Sequence, residues 1–117
     1  MQLEKNNNPL WLGGIPMSQK AIDVFRACIP LFHALSDPAR QDIIILLAEH
    51  DALSVNEIAQ QSNLSRPAIS HHLKIMRDNN LVLTEQKGTQ RLYTLAIEQG
   101  VEQLKKLIQI VESECIL

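Results

Sequence analysis

Two helix-start signals in close succession constrain Ser54 to Asp78 more tightly than any other stretch of this chain. Ser54-Val55-Asn56-Glu57 has the S-x-x-E spacing of a capping box. In that arrangement the Ser side chain accepts from the third amide and the Glu reaches back to the cap. A short helix is predicted from there through Ile58, Ala59 and Gln61, and Ser62-Asn63-Leu64 then breaks the apolar spacing with turn-forming residues. Ser65 is the second cap. Pro67 falls in the first turn of the next helix, where its missing N–H costs nothing, and that helix is predicted over Arg66 to Asp78.

At roughly 100° per residue, Arg66, Pro67, Ser70, His71, Lys74 and Arg77 fall within an arc of about 140° on the second helix. Ala68, Ile69, His72, Leu73, Ile75 and Met76 occupy the rest. The first set carries hydrogen-bonding side chains and bases but no carboxylate, the composition a major-groove reading face requires. An ordinary amphipathic surface helix has the same periodicity, so the decision rests on the following stretch. Leu81 to Gln86 and Thr89 to Leu95 are short runs rich in Val, Leu, Thr and Tyr, with Lys87-Gly88 at the hairpin tip. Helix, turn, helix and hairpin make a winged helix. Lys87, Gln90 and Arg91 on the hairpin are suited to backbone phosphate or the minor groove, although a solvated hairpin would carry such residues too.

Charge is distributed unevenly along the chain. Of 11 Lys and Arg and 13 Asp and Glu, residues 65–91 hold Arg66, Lys74, Arg77, Lys87 and Arg91 against Asp78 and Glu85. That segment is net positive within a chain of formal charge −2. A basic surface on an acidic body is compatible with DNA and argues against broad nonspecific affinity. Hydrophobic residues at 45% of 117 suffice for one aliphatic core. With no run of about 18 apolar residues and no secretion signal, a cytoplasmic protein without membrane contact is expected.

Residues 1–17 read as an irregular arm and 18–117 as the folded domain. Asn6-Asn7-Asn8-Pro9 and Gly13-Gly14 oppose regular structure, while Leu10, Trp11, Leu12 and Ile15 suit docking on the body or on a partner subunit. Ser18 caps a first helix with Ala21, Ile22, Val24, Phe25, Cys28 and Ile29 on one face, and Pro30 predicts a kink or break before Leu31 to Leu35. Asp37-Pro38 starts the next helix, whose run Ile43 to Leu47 should form the core; Arg40, near its N-terminal end, could hold Asp37 or a DNA phosphate. After the wing, Ile97, Val101, Leu104, Ile108, Val111 and Cys115 form one stripe, and Leu107 and Ile110 a second. Two stripes exceed what a single core contact uses, which suggests packing against another subunit.

Leu35-Ser36-Asp37-Pro38-Ala39-Arg40, then Leu64 to Lys74 with its Ser-His-His-Leu-Lys run, then Gly88 to Tyr93 resemble the successive signatures of the arsenic-repressor (ArsR/SmtB) family. The resemblance spans about Phe32 to Leu95. It implies a homodimeric bacterial repressor, joined through its first and last helices, that binds a palindromic operator and is released by a ligand, metal ion or oxidant. The family's thiolate metal positions align with Ser54, Asn56 and Ala59, and its last-helix site with Ile97, Gln99, Ile110 and Ser113. A register shifted by one would bring in Glu98 and Glu112, and neither set suits zinc or another transition metal. No metal and no cofactor is expected. Cys28 and Cys115 lie on the two helices that the family resemblance assigns to the dimer, so they are either small buried hydrophobes or a thiol switch within or between subunits. His33 and His50 read as structural or solvated, and His72 as packing beneath the reading face.

No phosphate-binding glycine loop, nucleophile elbow or His-Glu-x-x-His occurs, so an enzyme is not expected. The expected architecture is α+β and mostly α: a winged helix-turn-helix of about five helices and one β-hairpin wing, dimeric through the first and last helices. The expected function is sequence-specific regulation of transcription through Ser65, Arg66, Pro67, Ser70, His71, Lys74, Arg77, Lys87, Gln90 and Arg91, with an unknown effector. The alternative is a winged helix used for protein contacts, as in an assembly or antitoxin module, which would not require those bases to converge on one side.

Overall fold

The computed structural model describes residues 17–115 of the chain. Residues 1–16, most of the expected arm, lie outside the described residues. The elements are α1 (Gln19–Ala27), α2 (Ile29–Leu35), α3 (Pro38–Glu49), α4 (Val55–Gln60), α5 (Arg66–Asp78), β1 (Val82–Lys87), β2 (Gln90–Leu95) and α6 (Glu98–Cys115). Counting α1 and α2 as one interrupted helix gives the expected five. The break falls at Cys28, before Pro30. Proline is thereby the second residue of α2, where its missing N–H leaves no bond unmade.

The chain divides into two compact units, one spanning residues 30–102 and the other combining the residues up to 29 with those from 103 onward. The core of the first unit joins Leu31 and Ala34 of α2, Ile43 and Leu47 of α3, Ile58 of α4 and Ile69, Leu73 and Met76 of α5 with Leu81 and Val82, all buried. Both expected elements of the α4 capping box are present: Glu57 N–H donates to Ser54 Oγ at 3.2 Å, and Ser54 N–H donates to Glu57 Oε1 at 2.8 Å. Asp37 caps α3 by accepting from Ala39 N–H at 2.8 Å. That bond and, less strongly, the charge of Arg40 hold the Asp37 carboxyl below its ordinary 3.8.

The strands pair antiparallel from Val82↔Leu95 to Lys87↔Gln90, leaving Gly88 and Thr89 as a two-residue loop. Gly88 has φ +61. Positive φ at the first loop position alone is the pattern of a type II′ turn, which matches the strands' right-handed twist. A third segment, unforeseen from the sequence, joins the sheet: Leu53 pairs with Tyr93 through backbone bonds of 3.0 and 2.8 Å. The residue before Ser54 is thus bonded to the wing, so the wing and the start of α4 are held together.

Helix α5 ends in a Schellman motif. Leu81 N–H donates to Met76 O at 2.9 Å and Asn80 N–H to Arg77 O at 3.0 Å, with Asn80 at φ 60. The backbone turns out of α5 into β1 through this left-handed residue. Asn80→Val should therefore cost about 1–2 kcal/mol, because a β-branched side chain is strained there, while Asn80→Gly should be close to neutral. Urea unfolding of both variants measures the difference, and equal stability would remove the constraint on the turn.

In the second unit α1 and the C-terminal part of α6 run antiparallel. Ser18 N–H and Oγ–H both donate to the Glu114 carboxylate, and Gln103 Nε2–H donates to Ala27 O at 2.8 Å. Ser18 also caps α1 by accepting from Ala21 N–H at 3.0 Å. Position Ala21 lacks the Glu of a local capping box, and Glu114 supplies that carboxylate from α6. The Ser18 hydroxyl, and then its N–H, lower the Glu114 pKa from 4.5. With the folded value below the unfolded one, this contribution is complete above pH 4.5 and is lost as pH falls through the lowered folded value. Glu114→Gln should flatten the acid limb of a melting-temperature profile below that pH and leave its neutral limb parallel to wild type.

Candidate nucleic-acid interface

Helix α5 is divided lengthwise. Ile69, Leu73 and Met76 are buried, Ala68, His72 and Ile75 are half-buried, and Arg66, Pro67, Ser70, His71, Lys74 and Arg77 are exposed. The sequence arc and the exposed face coincide because the apolar residues recur at the helical period and the core takes that side. Ser65 is also exposed, but its Oγ accepts from Ala68 N–H at 3.2 Å as the helix cap. Lys74 Nζ lies 3.1 Å from Asp78 Oδ2, an exposed carboxylate within the same arc at the far end of the helix. Both side chains are largely solvated, so the pair is weak and a phosphate can displace it.

On the wing Lys87, Gln90 and Arg91 are exposed, and Lys87 Nζ is 3.9 Å from Glu85 Oε1. Gln90 and Arg91, with Thr89, line a recess of about 180 Å³ whose other wall is Ser54, Val55 and Asn56. Two residues of this neighbourhood, Asn56 and Thr89, were absent from the sequence reading as interface candidates. The Leu53–Tyr93 pairing brings α4 to the wing, and no local pattern in the sequence announces a contact between segments so far apart.

Arg40 is not exposed to meet phosphate. It is 4% exposed, with Nε–H donating to Ala34 O at 2.8 Å and Nη2–H to His33 O at 2.9 Å. Its Nη1 lies 3.6 Å from Asp37 Oδ2 and 3.1 Å from His72 Nδ1. A guanidinium only donates, so Nδ1 accepts and the His72 ring carries its proton on Nε2. His50, by contrast, turns back to its own helix end, with Nδ1 2.8 Å from Leu46 O.

The sequence profile of the bacterial regulatory proteins of the arsR family matches residues 37–84, from the α3 cap through the start of the wing. An uncharacterised helix-turn-helix transcriptional regulator of Methanocaldococcus jannaschii is 30% identical over 87 residues, 74% of this chain and 97% of the relative. The transcriptional repressor SdpR of Bacillus subtilis is 38% identical over 65 residues, 56% of this chain and 71% of the relative. This chain belongs to the arsR family. Among solved structures, reduced HlyU of Vibrio cholerae is similar at a TM-score of 0.64 and 26% identity, covering 82% of this chain and 96% of that one. As an arsR-family member the protein is a DNA-binding transcriptional regulator, and the exposed face of α5 belongs to the part of the chain that defines the family.

Ser54, at the first position aligned with the arsR-family thiolate site, is 6% exposed and committed to the α4 cap. In α6, Ser113 Oγ–H donates to Ile110 O at 3.1 Å. Among the described residues no three His, Cys, Asp or Glu side chains gather as a metal site. Cys28 is fully buried. The side chain of Cys115 lies outside the described residues.

Proposed function

We infer that this arsR-family regulator is a homodimeric repressor whose two winged helices bind the half-sites of a palindromic operator. The observation that carries the reading is the face of α5: Arg66, Ser70, His71, Lys74 and Arg77 exposed in one stripe directly over the buried Ile69, Leu73 and Met76. A helix seated on a rigid core and presenting bases and hydrogen-bonding groups meets the requirements of major-groove recognition. In this reading Arg66 and His71 address base edges, while Lys74, Lys87 and Arg91 meet phosphate. SdpR, 38% identical over 65 residues, is a transcriptional repressor.

The dimer is inferred from apolar surface. Phe25, Ile29 and Ile108 are 53%, 59% and 56% exposed in the single chain, and a two-helix unit has little core of its own. Residues 1–17 fit an arm that adds to the same assembly, and 18–117 a combined DNA-binding and dimerisation domain.

Selection from a random duplex library tests the operator reading. A palindrome with half-sites about one helical turn apart is expected, bound two chains per site. Enrichment of an unpaired half-site bound by one chain would overturn the dimeric arrangement, and absence of enrichment would favour the protein-contact alternative. On the selected DNA, Lys87→Ala should weaken all sequences alike and reduce the salt slope by about one. A change confined to one base position would instead place Lys87 among the base-reading groups.

A further inference from the structure

The setting of Arg40 is costly in two respects. A guanidinium in the first turn of α3 opposes the positive end of that helix dipole, and at 4% exposure it has given up most of its hydration. What it gains is a connection between three helices. Nε–H donates to Ala34 O and Nη2–H to His33 O, two carbonyls in the last turn of α2 of which His33 O also accepts from the N–H and Oγ–H of Ser36, and Nη1 reaches the Nδ1 of His72 on α5. No buried polar side-chain atom among the described residues lacks a partner, so the cluster is fully satisfied. Apolar packing of Ile69, Leu73 and Met76 fixes the depth of α5 and which face it turns to the core, and because that packing is non-directional a hydrogen bond adds a directional constraint on the helix's rotational setting. The bond from an immobilised donor to a ring beside His71 supplies that constraint.

We propose that Arg40 is a positioning residue for DNA reading, its buried guanidinium holding α5 through His72 in the rotational setting from which Arg66, Ser70 and His71 meet the bases. The inference rests on α5 being the recognition helix. The charge on Arg40 is balanced locally by Asp37, and the flexible side chains of the reading face are displayed on a helix braced from beneath. Fixing a reading helix before DNA arrives raises discrimination between sequences more than it raises general affinity, because phosphate contacts tolerate a small rotation and bidentate base contacts do not.

The test uses the full chain and operator DNA taken from the selection, with scrambled duplex as the reference. His72→Leu removes the acceptor and keeps an apolar side chain at a half-buried site. His72→Asn keeps an acceptor close to the Nδ1 position. We expect His72→Leu to lower the ratio of operator to scrambled affinity tenfold or more with scrambled binding and its salt slope unchanged, and His72→Asn to restore the ratio to within about threefold of wild type. Arg40→Lys should lower the ratio as His72→Leu does, and the double variant should lose no more than the worse single one. Wild-type discrimination in His72→Leu, equal losses in the Leu and Asn variants, additive losses in the double variant, or a parallel fall of operator and scrambled binding with melting temperature would each overturn the proposal. Arg66→Ala separates the two levels of inference. If that variant also keeps wild-type discrimination, the recognition-helix reading itself fails; if Arg66→Ala loses discrimination and His72→Leu does not, only the positioning role is lost.

Discussion

Arg66→Ala is expected to weaken operator binding by about 1–3 kcal/mol, roughly five- to 150-fold, and to relax selectivity at one base position in each half-site. Arg66 is the first residue of α5 and exposed, and residues at that end of a recognition helix contact base edges. Its guanidinium can donate two parallel bonds to one guanine edge, which no water or neighbouring side chain replaces once it is truncated. Stability should barely change, since the side chain packs against nothing in the core and the Ser65 cap and Pro67 remain. Titration against the operator and its single-base variants is the measurement. A uniform loss across all variants would reassign Arg66 to phosphate, and unchanged affinity would remove it from the interface.

Ile108→Asp is expected to separate the subunits while sparing the fold of each. At 56% exposure Ile108 contributes little to packing within its own chain, so a carboxylate there costs the monomer almost nothing. In a dimer seam the same carboxylate would be buried without a partner in both copies, a penalty of several kcal/mol. Sedimentation should show monomers with native helix content, and operator binding should fall to that of an isolated half-site. Adding Val111→Asp, at a more buried position of the same helix, should also lower the melting temperature. A stable dimer carrying Ile108→Asp would place the seam on another surface.

Within the sequence, the helix-turn-helix was legible because each of its boundaries is a local event. Ser54 with Glu57, Ser65 with Pro67, and Asp37 with Pro38 are caps whose chemistry is complete within four residues, and the apolar period of α5 alone divided its buried from its exposed face. Gly88 announced a turn for the same reason, although the loop lies at Gly88-Thr89, one residue beyond the expected Lys87-Gly88 tip. Only the tertiary structure decided the remaining relations, because each joins groups that are remote in the chain. Leu53 pairs with Tyr93, and Glu114 completes the Ser18 cap from the opposite end of the described chain. Arg40, which by sequence faced either Asp37 or a phosphate, lies near Asp37 and turns inward to the Ala34 and His33 carbonyls of α2 and the ring of His72, because a guanidinium is buried only where its donors find acceptors. Helix caps and periodicity are properties of a few adjacent residues, whereas the partners of a long side chain depend on which helix end the fold brings within its reach.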